Sequence, residues 1–328
     1  MRILMWHVHG SWTTSFLQGP HTCLLPVTAD RGPDGRGRAR TWDWPATAVE
    51  IPFDALIEQD FDVALLQRPE EFDLVRALTG RVPGVDVPAL YVEHNTPDGP
   101  AATSRHPMAD RPGLRIVHVT PFNDLMWDCG STPTTVVEHG IVDPGYRYTG
   151  SIPRCAVAVN DPVRRGRVTG TDLIPGFAGT AGLDVFGMRA SELETATADV
   201  RLFEDLPQHE LHQEMAERRL YLHLSRWTSL GLSLLEAMHL GLPVVAVGTT
   251  EAYAAVPPSA GTVSTSVADL RTAVRRLIAD PALAREQGAA ARQTALERYG
   301  IKRFVADWNR LLEGLSRSEP SAKPMSAN

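Results

Sequence analysis

Ser225-Arg226-Trp227-Thr228-Ser229-Leu230-Gly231-Leu232-Ser233-Leu234-Leu235-Glu236-Ala237-Met238-His239-Leu240-Gly241-Leu242-Pro243-Val244-Val245-Ala246 is the stretch whose reading decides the fold. In order it gives a loop, a helix over 232–240, a stop at Gly241 and Pro243, and a buried strand. Glycine just past a helix supplies the left-handed cap, and a proline soon after cannot continue it. Leu232, Leu234, Leu235, Ala237, Met238 and Leu240 make the helix apolar on nearly every side, which places it in a core. Glu236 lies among them. A buried carboxylate is costly unless paired or hydrogen-bonded, so Glu236 needs either a specific partner or a solvent-facing gap.

Outward from this stretch, strand-like runs recur. The N-terminal half has them at 2–8, 22–26, 62–67, 88–93 and 114–119, with helical segments such as 69–78 between. The C-terminal half has them at 155–159, 182–188 and 220–224, with helices over 209–218 and 267–278. Strands that are nearly continuously apolar and alternate with helices predict an α/β, doubly wound parallel sheet. Ligands in such sheets bind beyond the carboxyl ends of the strands. Three polar strand ends therefore stand out: His9-Gly10-Ser11, Arg68, and Glu93-His94-Asn95. Arg68 precedes a proline at a helix start and reads as structural. His9 to Thr14 reads as a polar loop. It lacks Gly-x-Gly-x-x-Gly spacing, which disfavours a dinucleotide site. Residues 95–112, rich in Pro and Gly, read as a mobile loop able to cover an acceptor.

Composition narrows the chemistry. A chain of 328 residues predicts two domains, and 43% apolar with 22% charged residues is ordinary for a globular protein. A net charge of −7 argues against general nucleic-acid binding. Cys23, Cys129 and Cys155 are odd in number and lack metal-ligand spacing, so a reduced, cytoplasmic protein is expected. The opening residues are too soon polar for a signal peptide, and no apolar run approaches the ~18–20 residues of a membrane span. Lysine is confined to Lys302 and Lys323. Schiff-base chemistry, pyridoxal anchoring and a Walker phosphate loop all require one earlier in the chain. Any phosphate must be held by arginine, backbone N–H groups or hydroxyls.

The run Gly231-Leu232-Ser233-Leu234-Leu235-Glu236-Ala237-Met238, with Gly241 and Pro243-Val244-Val245-Ala246 after it, resembles the donor-site signature of family-4 glycosyltransferases. These retain anomeric configuration and have the GT-B fold. The resemblance implies that Glu236 binds the ribose hydroxyls of a nucleotide-sugar. It also implies that Gly231 and the helix N-terminus face the diphosphate, in keeping with the affinity of helix N-termini for anions. The family pattern carries another Glu, on the transferred sugar, where this chain has Thr228. The departure keeps the nucleotide contacts and removes a sugar contact.

The same resemblance extends to other segments. Gly10 stands in for the family's Gly-rich donor loop, and His94 for a histidine near the reacting sugar. Residues 138–144 resemble the hinge between domains. Residues 160–172 resemble the loop whose Arg and Lys-Gly clamp the diphosphate; here Thr169-Gly170 replaces the Lys-Gly, with Arg164, Arg165 and Arg167 just upstream. Residues 200–207 resemble the segment whose backbone reads the base. The match is specific over 140–315 and follows only the order of elements before that.

The resemblance implies two Rossmann-like domains facing a cleft. Residues 1–147 would bind the acceptor and 148–328 the nucleotide-sugar. A final helix at about 304–315 would cross back onto the first domain, and 316–328 would be a disordered tail. The implied reaction is retaining transfer from a UDP- or GDP-linked sugar to a small-molecule, lipid or glycan acceptor, with no metal or other cofactor. His94, Arg164 and Arg165 would be catalytic, and Gly10, Arg167, Thr228, Ser229, Leu230, Gly231, Leu232 and Glu236 would bind donor. A non-catalytic nucleotide-sugar-binding relative and a 2-epimerase-like enzyme are the alternatives.

Overall fold

The structure is a computed structural model that describes residues 1–40, 42–194 and 199–317. Its first sheet contains β1 (Arg2–Met5), β2 (Thr22–Val27), β3 (Ala48–Pro52), β4 (Val63–Leu66), β5 (Ala89–Glu93), β6 (Leu114–His118) and β7 (Thr134–Val136). Their order is β3-β2-β1-β4-β5-β6-β7, and every pairing is parallel. The second sheet contains β8 (Ile152–Ala158), β9 (Leu183–Gly187), β10 (Val200–Glu204), β11 (Arg218–His223), β12 (Val244–Val247) and β13 (Gly261–Ser264). It is also wholly parallel, in the order β10-β9-β8-β11-β12-β13. Both orders reverse direction once, between β1 and β4 and between β8 and β11. A doubly wound sheet opens its binding crevice at such a point.

Each sheet is covered on both faces, which is why its strands read as unbroken apolar runs. Ile3 and Met5 pack into one core with Leu65, Leu90 and Val92, while Leu4 and Trp6 point into another with Ala64 and Leu66. The last helix, Ile301–Arg317, leaves the second half of the chain and packs on the first sheet. Its Phe304 and Trp308 are buried, and the Trp308 ring lies 5.6 Å from Trp12 and 5.2 Å from Phe16. The crossing is held at its base by Ile141 N donating to the Tyr299 carbonyl over 2.9 Å.

Several expectations need correction. Residues 9–14 are not a loop: Gly10–Phe16 is a helix, and β1 ends at Met5 rather than at residue 8. The hydroxyls that suggested a loop are partly buried in the helix, where Thr14 Oγ1 bonds back to the Gly10 carbonyl. The stretch 95–112 is anchored, with His106 buried and its Nε2 2.9 Å from a Glu93 carboxylate oxygen. The last helix runs to Arg317, into the stretch read as tail. Residues 318–328 lie outside the described residues.

Candidate active site in the cleft between the sheets

The carboxyl ends of the two sheets face one another across a cavity of about 960 Å³. Its walls come from both halves: His9 and Gly10 after β1, His94 to Thr96 after β5, Asn160 to Arg165 after β8, and Ser225 to Ser233 after β11. The signature helix is Leu232–Leu240, as its sequence predicts, with Gly231 at the N-cap and Gly241 at φ +95° closing it. A side chain at Gly231 would place its Cβ 2.9 Å from the His223 ring, so glycine is what lets the helix start against β11.

Glu236 is buried, but on the cavity wall. Its Oε1 accepts from Ser11 Oγ over 2.8 Å and from Gln208 Nε2 over 3.4 Å. Its Oε2 lies 3.6 Å from His212 Nε2, which is beyond hydrogen-bond reach and has no other partner among the described residues. Burial pushes this carboxyl up, but His212, Ser11 and Gln208 together outweigh burial and hold it below the usual range. Glu236 is therefore an ionised acceptor whose partners come from both halves of the chain.

The loop ahead of the helix is bolted to the first sheet. Ser229 Oγ donates to the His94 carbonyl over 2.6 Å, and Trp227 Nε1 to the Pro97 carbonyl over 2.7 Å. Thr96 Oγ1 returns a bond of 3.3 Å to the Trp227 carbonyl. Thr228, Leu230 and Leu232 also line the cavity, and Gly10 faces them from the other side. A Cβ at Gly10 would lie 2.5 Å from the Trp42 ring, so its role in the fold is to let that indole close the cavity wall.

His94 is the centre of a histidine cluster. Its ring lies 4.1 Å from His9 and 6.5 Å from His139, with Trp12 edge-on at 5.1 Å. Burial is the leading cause that lowers all three: His9 to about 4, with Arg165 and Arg36 adding to it, His139 to about 3, with His9 and Arg303 adding, and His94 well below its ordinary value, with His9 and His139 adding. The cluster is uncharged at neutral pH.

The structure separates the three arginines. Arg164 lines the cavity, with Nη2 bonded to Asp161 over 2.6 Å. Arg165 also lines it and has no side-chain hydrogen bond or ion pair among the described residues. Arg167 does not reach the cavity. Its side chain is 77% exposed and pairs with Asp172 at 3.0 Å, so it does not join the other residues expected to bind donor. The short turn Pro162–Arg165 ends at Gly166, and the chain reverses there before Arg167.

The sequence reading missed Gln67, His139, Gln208 and His212. Gln208 and His212 are four apart on the helix Gln208–Glu217, a spacing that puts both on one face toward Glu236.

Residues 183–294 match the family Glycosyl transferases group 1, a span from β9 through most of the helix Pro281–Arg298. No curated protein sequence matches the chain. Sucrose-phosphate synthase from Thermosynechococcus elongatus superposes with a TM-score of 0.71 at 14% identity, covering 97% of this chain and 100% of that one. HepE from Anabaena, in complex with UDP, gives 0.70 at 14% identity over 96% and 100%. The pneumococcal O-GlcNAc transferase GtfA, in complex with UDP and GlcNAc, gives 0.61 at 15% identity over 78% of this chain and 57% of its own. At such identities these likenesses establish the fold, GT-B. The group 1 match adds the family of the domain, and its span holds Glu236 and the loop before it. A group 1 domain set in a GT-B frame marks the chain as a glycosyltransferase.

Proposed function

We propose that the chain is a retaining, family-4 glycosyltransferase that takes its sugar from a nucleoside diphosphate donor. The observation that carries this is a convergence: Glu236, the unpaired Arg165 and the start of the helix Leu232–Leu240 face one cavity. Glu236 accepts from the ribose hydroxyls. Arg165 and the N–H groups at the helix start stabilise the departing diphosphate, the electrostatic contribution that is usually the largest in such reactions. Ser229 and Leu230 line the same wall, and Arg164 adds a second guanidinium. UDP in the HepE and GtfA complexes favours a uridine donor over a guanosine one. No metal or other cofactor enters this reading. The acceptor, a small molecule, lipid or glycan, enters past Gly10 and His94 from the first-sheet side. An assay of transfer and hydrolysis across a panel of nucleotide-sugars tests it; a 2-epimerised product, or no turnover of any donor, contradicts it.

Arg165→Ala is expected to weaken UDP about tenfold, near the lower end for a hydrogen bond to a charged group. Uridine affinity should stay unchanged, and Arg167→Ala should move neither ligand by more than about twofold. Calorimetry with both ligands decides. Equal losses for UDP and uridine would make the arginine turn a purely structural feature.

Thr228 bears on the donor sugar. A Thr hydroxyl is shorter than a Glu carboxylate and neutral, and neutral hydrogen bonds contribute roughly 1 kcal/mol less than charged ones. The reading is that the donor lacks or modifies the hydroxyl a Glu would hold, as a deoxysugar does. Thr228→Glu is expected to shift preference several-fold toward glucose, mannose or N-acetylglucosamine donors. Full efficiency of the wild type on a common hexose, with no change in the variant, would contradict it.

A further inference from the structure

A hydrogen-bond chain behind the first-sheet wall of the cavity fixes where a proton sits. Gln67 follows β4 and is buried. Its Nε2 donates to the Trp6 carbonyl over 2.8 Å. A main-chain carbonyl only accepts, so the amide nitrogen must face Trp6 and the amide oxygen must face the other way. That oxygen lies 3.0 Å from His94 Nε2. An amide oxygen also only accepts, so the ring proton of His94 is on Nε2.

The other ring nitrogen is then a bare lone pair, because burial, His9 and His139 keep a second proton off the ring. His94 Nδ1 has no protein hydrogen bond among the described residues. It is also not among the polar atoms sealed from solvent, unlike His139 Nδ1 and His212 Nε2. The residue lines the cavity, so this lone pair is reachable there. Gln67 cannot readily turn its amide over. Turned over, it would set the amide oxygen against the Trp6 carbonyl oxygen, two acceptors with no proton between them.

We propose that Gln67 is a positioning residue: it holds His94 in the Nε2–H form so that Nδ1 accepts a hydrogen bond from a substrate hydroxyl in the cavity. What occupies the cavity rests on the transferase reading above; the proton position does not. Such a site accepts a sugar or alcohol hydroxyl and rejects a carboxylate or phosphate oxygen at the same place. The titratable groups against the ring are His9, from the end of β1, and His139, from the stretch after β7. Trp12 is uncharged, and no carboxylate touches the ring among the described residues.

Two measurements test this. Side-chain ¹⁵N NMR of the histidine-labelled protein, with the His94 signal assigned by its loss in His94→Gln, should show the proton on Nε2. A proton on Nδ1 overturns the proposal whether or not the protein turns over any donor. The second measurement is the pH profile of Gln67→Glu. A carboxylate accepts the same bond but favours the doubly protonated ring, so Nδ1 becomes a donor near neutral pH. Transfer kcat should fall about 10- to 100-fold at pH 7, recover toward wild type by pH 9, and leave the Kd for UDP unchanged. Gln67→Leu should lose kcat at every pH. A Gln67→Leu variant with wild-type kcat across this range overturns the proposal. Donor hydrolysis without acceptor falling in parallel assigns the hydroxyl to the sugar; a fall confined to transfer assigns it to the acceptor. A wild type that transfers no sugar overturns the transferase reading instead and leaves the NMR result to decide.

Discussion

Glu236→Ala is expected to weaken nucleoside diphosphate binding roughly 10- to 100-fold, or about 1.5–3 kcal/mol, the value of hydrogen bonds to a charged acceptor. The carboxylate is ionised in place, with Oε1 shared by Ser11 and Gln208 and Oε2 short of any hydrogen-bond donor. A ribose hydroxyl entering the cavity would meet an acceptor with open capacity. Glu236→Gln, which keeps a carbonyl oxygen and loses the charge, should cost less. The decisive comparison is UDP against 2′,3′-dideoxy-UDP by calorimetry. Wild type should discriminate between them, and Glu236→Ala should not, because the coupling between the two deletions isolates the contact. Equal discrimination in both proteins would remove Glu236 from the ribose site.

Acid should destabilise the fold well before its carboxylates protonate. His118, His139 and His223 are buried, and burial is the leading cause that lowers them to about 4, about 3 and about 4. An unfolded histidine titrates near 6.5. Between pH 6.5 and about 4 the unfolded chain therefore binds protons that the folded chain refuses, so stability is full above 6.5 and falls as the pH drops. At pH 5 each of the three costs about 2 kcal/mol relative to pH 7, by linkage. Their sum of about 6 kcal/mol is comparable to the whole stability of many domains. The urea midpoint should fall steeply from pH 7 to pH 5, and His118→Leu should flatten part of that slope. A midpoint constant over this range would contradict the burial of these three rings.

The succession of strands and helices along the chain and the signature helix were legible because their signals are local. Leu232–Leu240 is bounded by Gly241 and Pro243, and the inner strands are buried on both faces, so each reads as an apolar run. The edge strands β3 and β7 went unread. Ala48–Pro52 and Thr134–Val136 are short, and several of their residues are only half-buried, which weakens the apolar signal. The helix Gly10–Phe16 was misread because Ser11, Thr13 and Thr14 resemble a loop in composition, while its packing partners Trp42 and Trp308 are far away in sequence.

The site divides the same way. Glu236 could be singled out as an oddity in an apolar helix, but its partner Ser11 lies 225 residues away and leaves no local trace. The basic run 164–167 raised the expectation of a phosphate contact without saying which arginine would make it. Only the three-dimensional path of the turn shows that Asp161 and Asp172 pair with two of them and leave Arg165 open to the cavity. Gln67 carried no signal at all, since its importance lies in the atom it presents to His94.

The most direct test is a crystal structure of the protein with UDP bound. The account predicts the nucleotide in the cleft between the sheets, a ribose hydroxyl within hydrogen-bond distance of Glu236, and the diphosphate between Arg165 and the start of the helix Leu232–Leu240. UDP bound elsewhere, or in the cleft with its ribose away from Glu236, would contradict it.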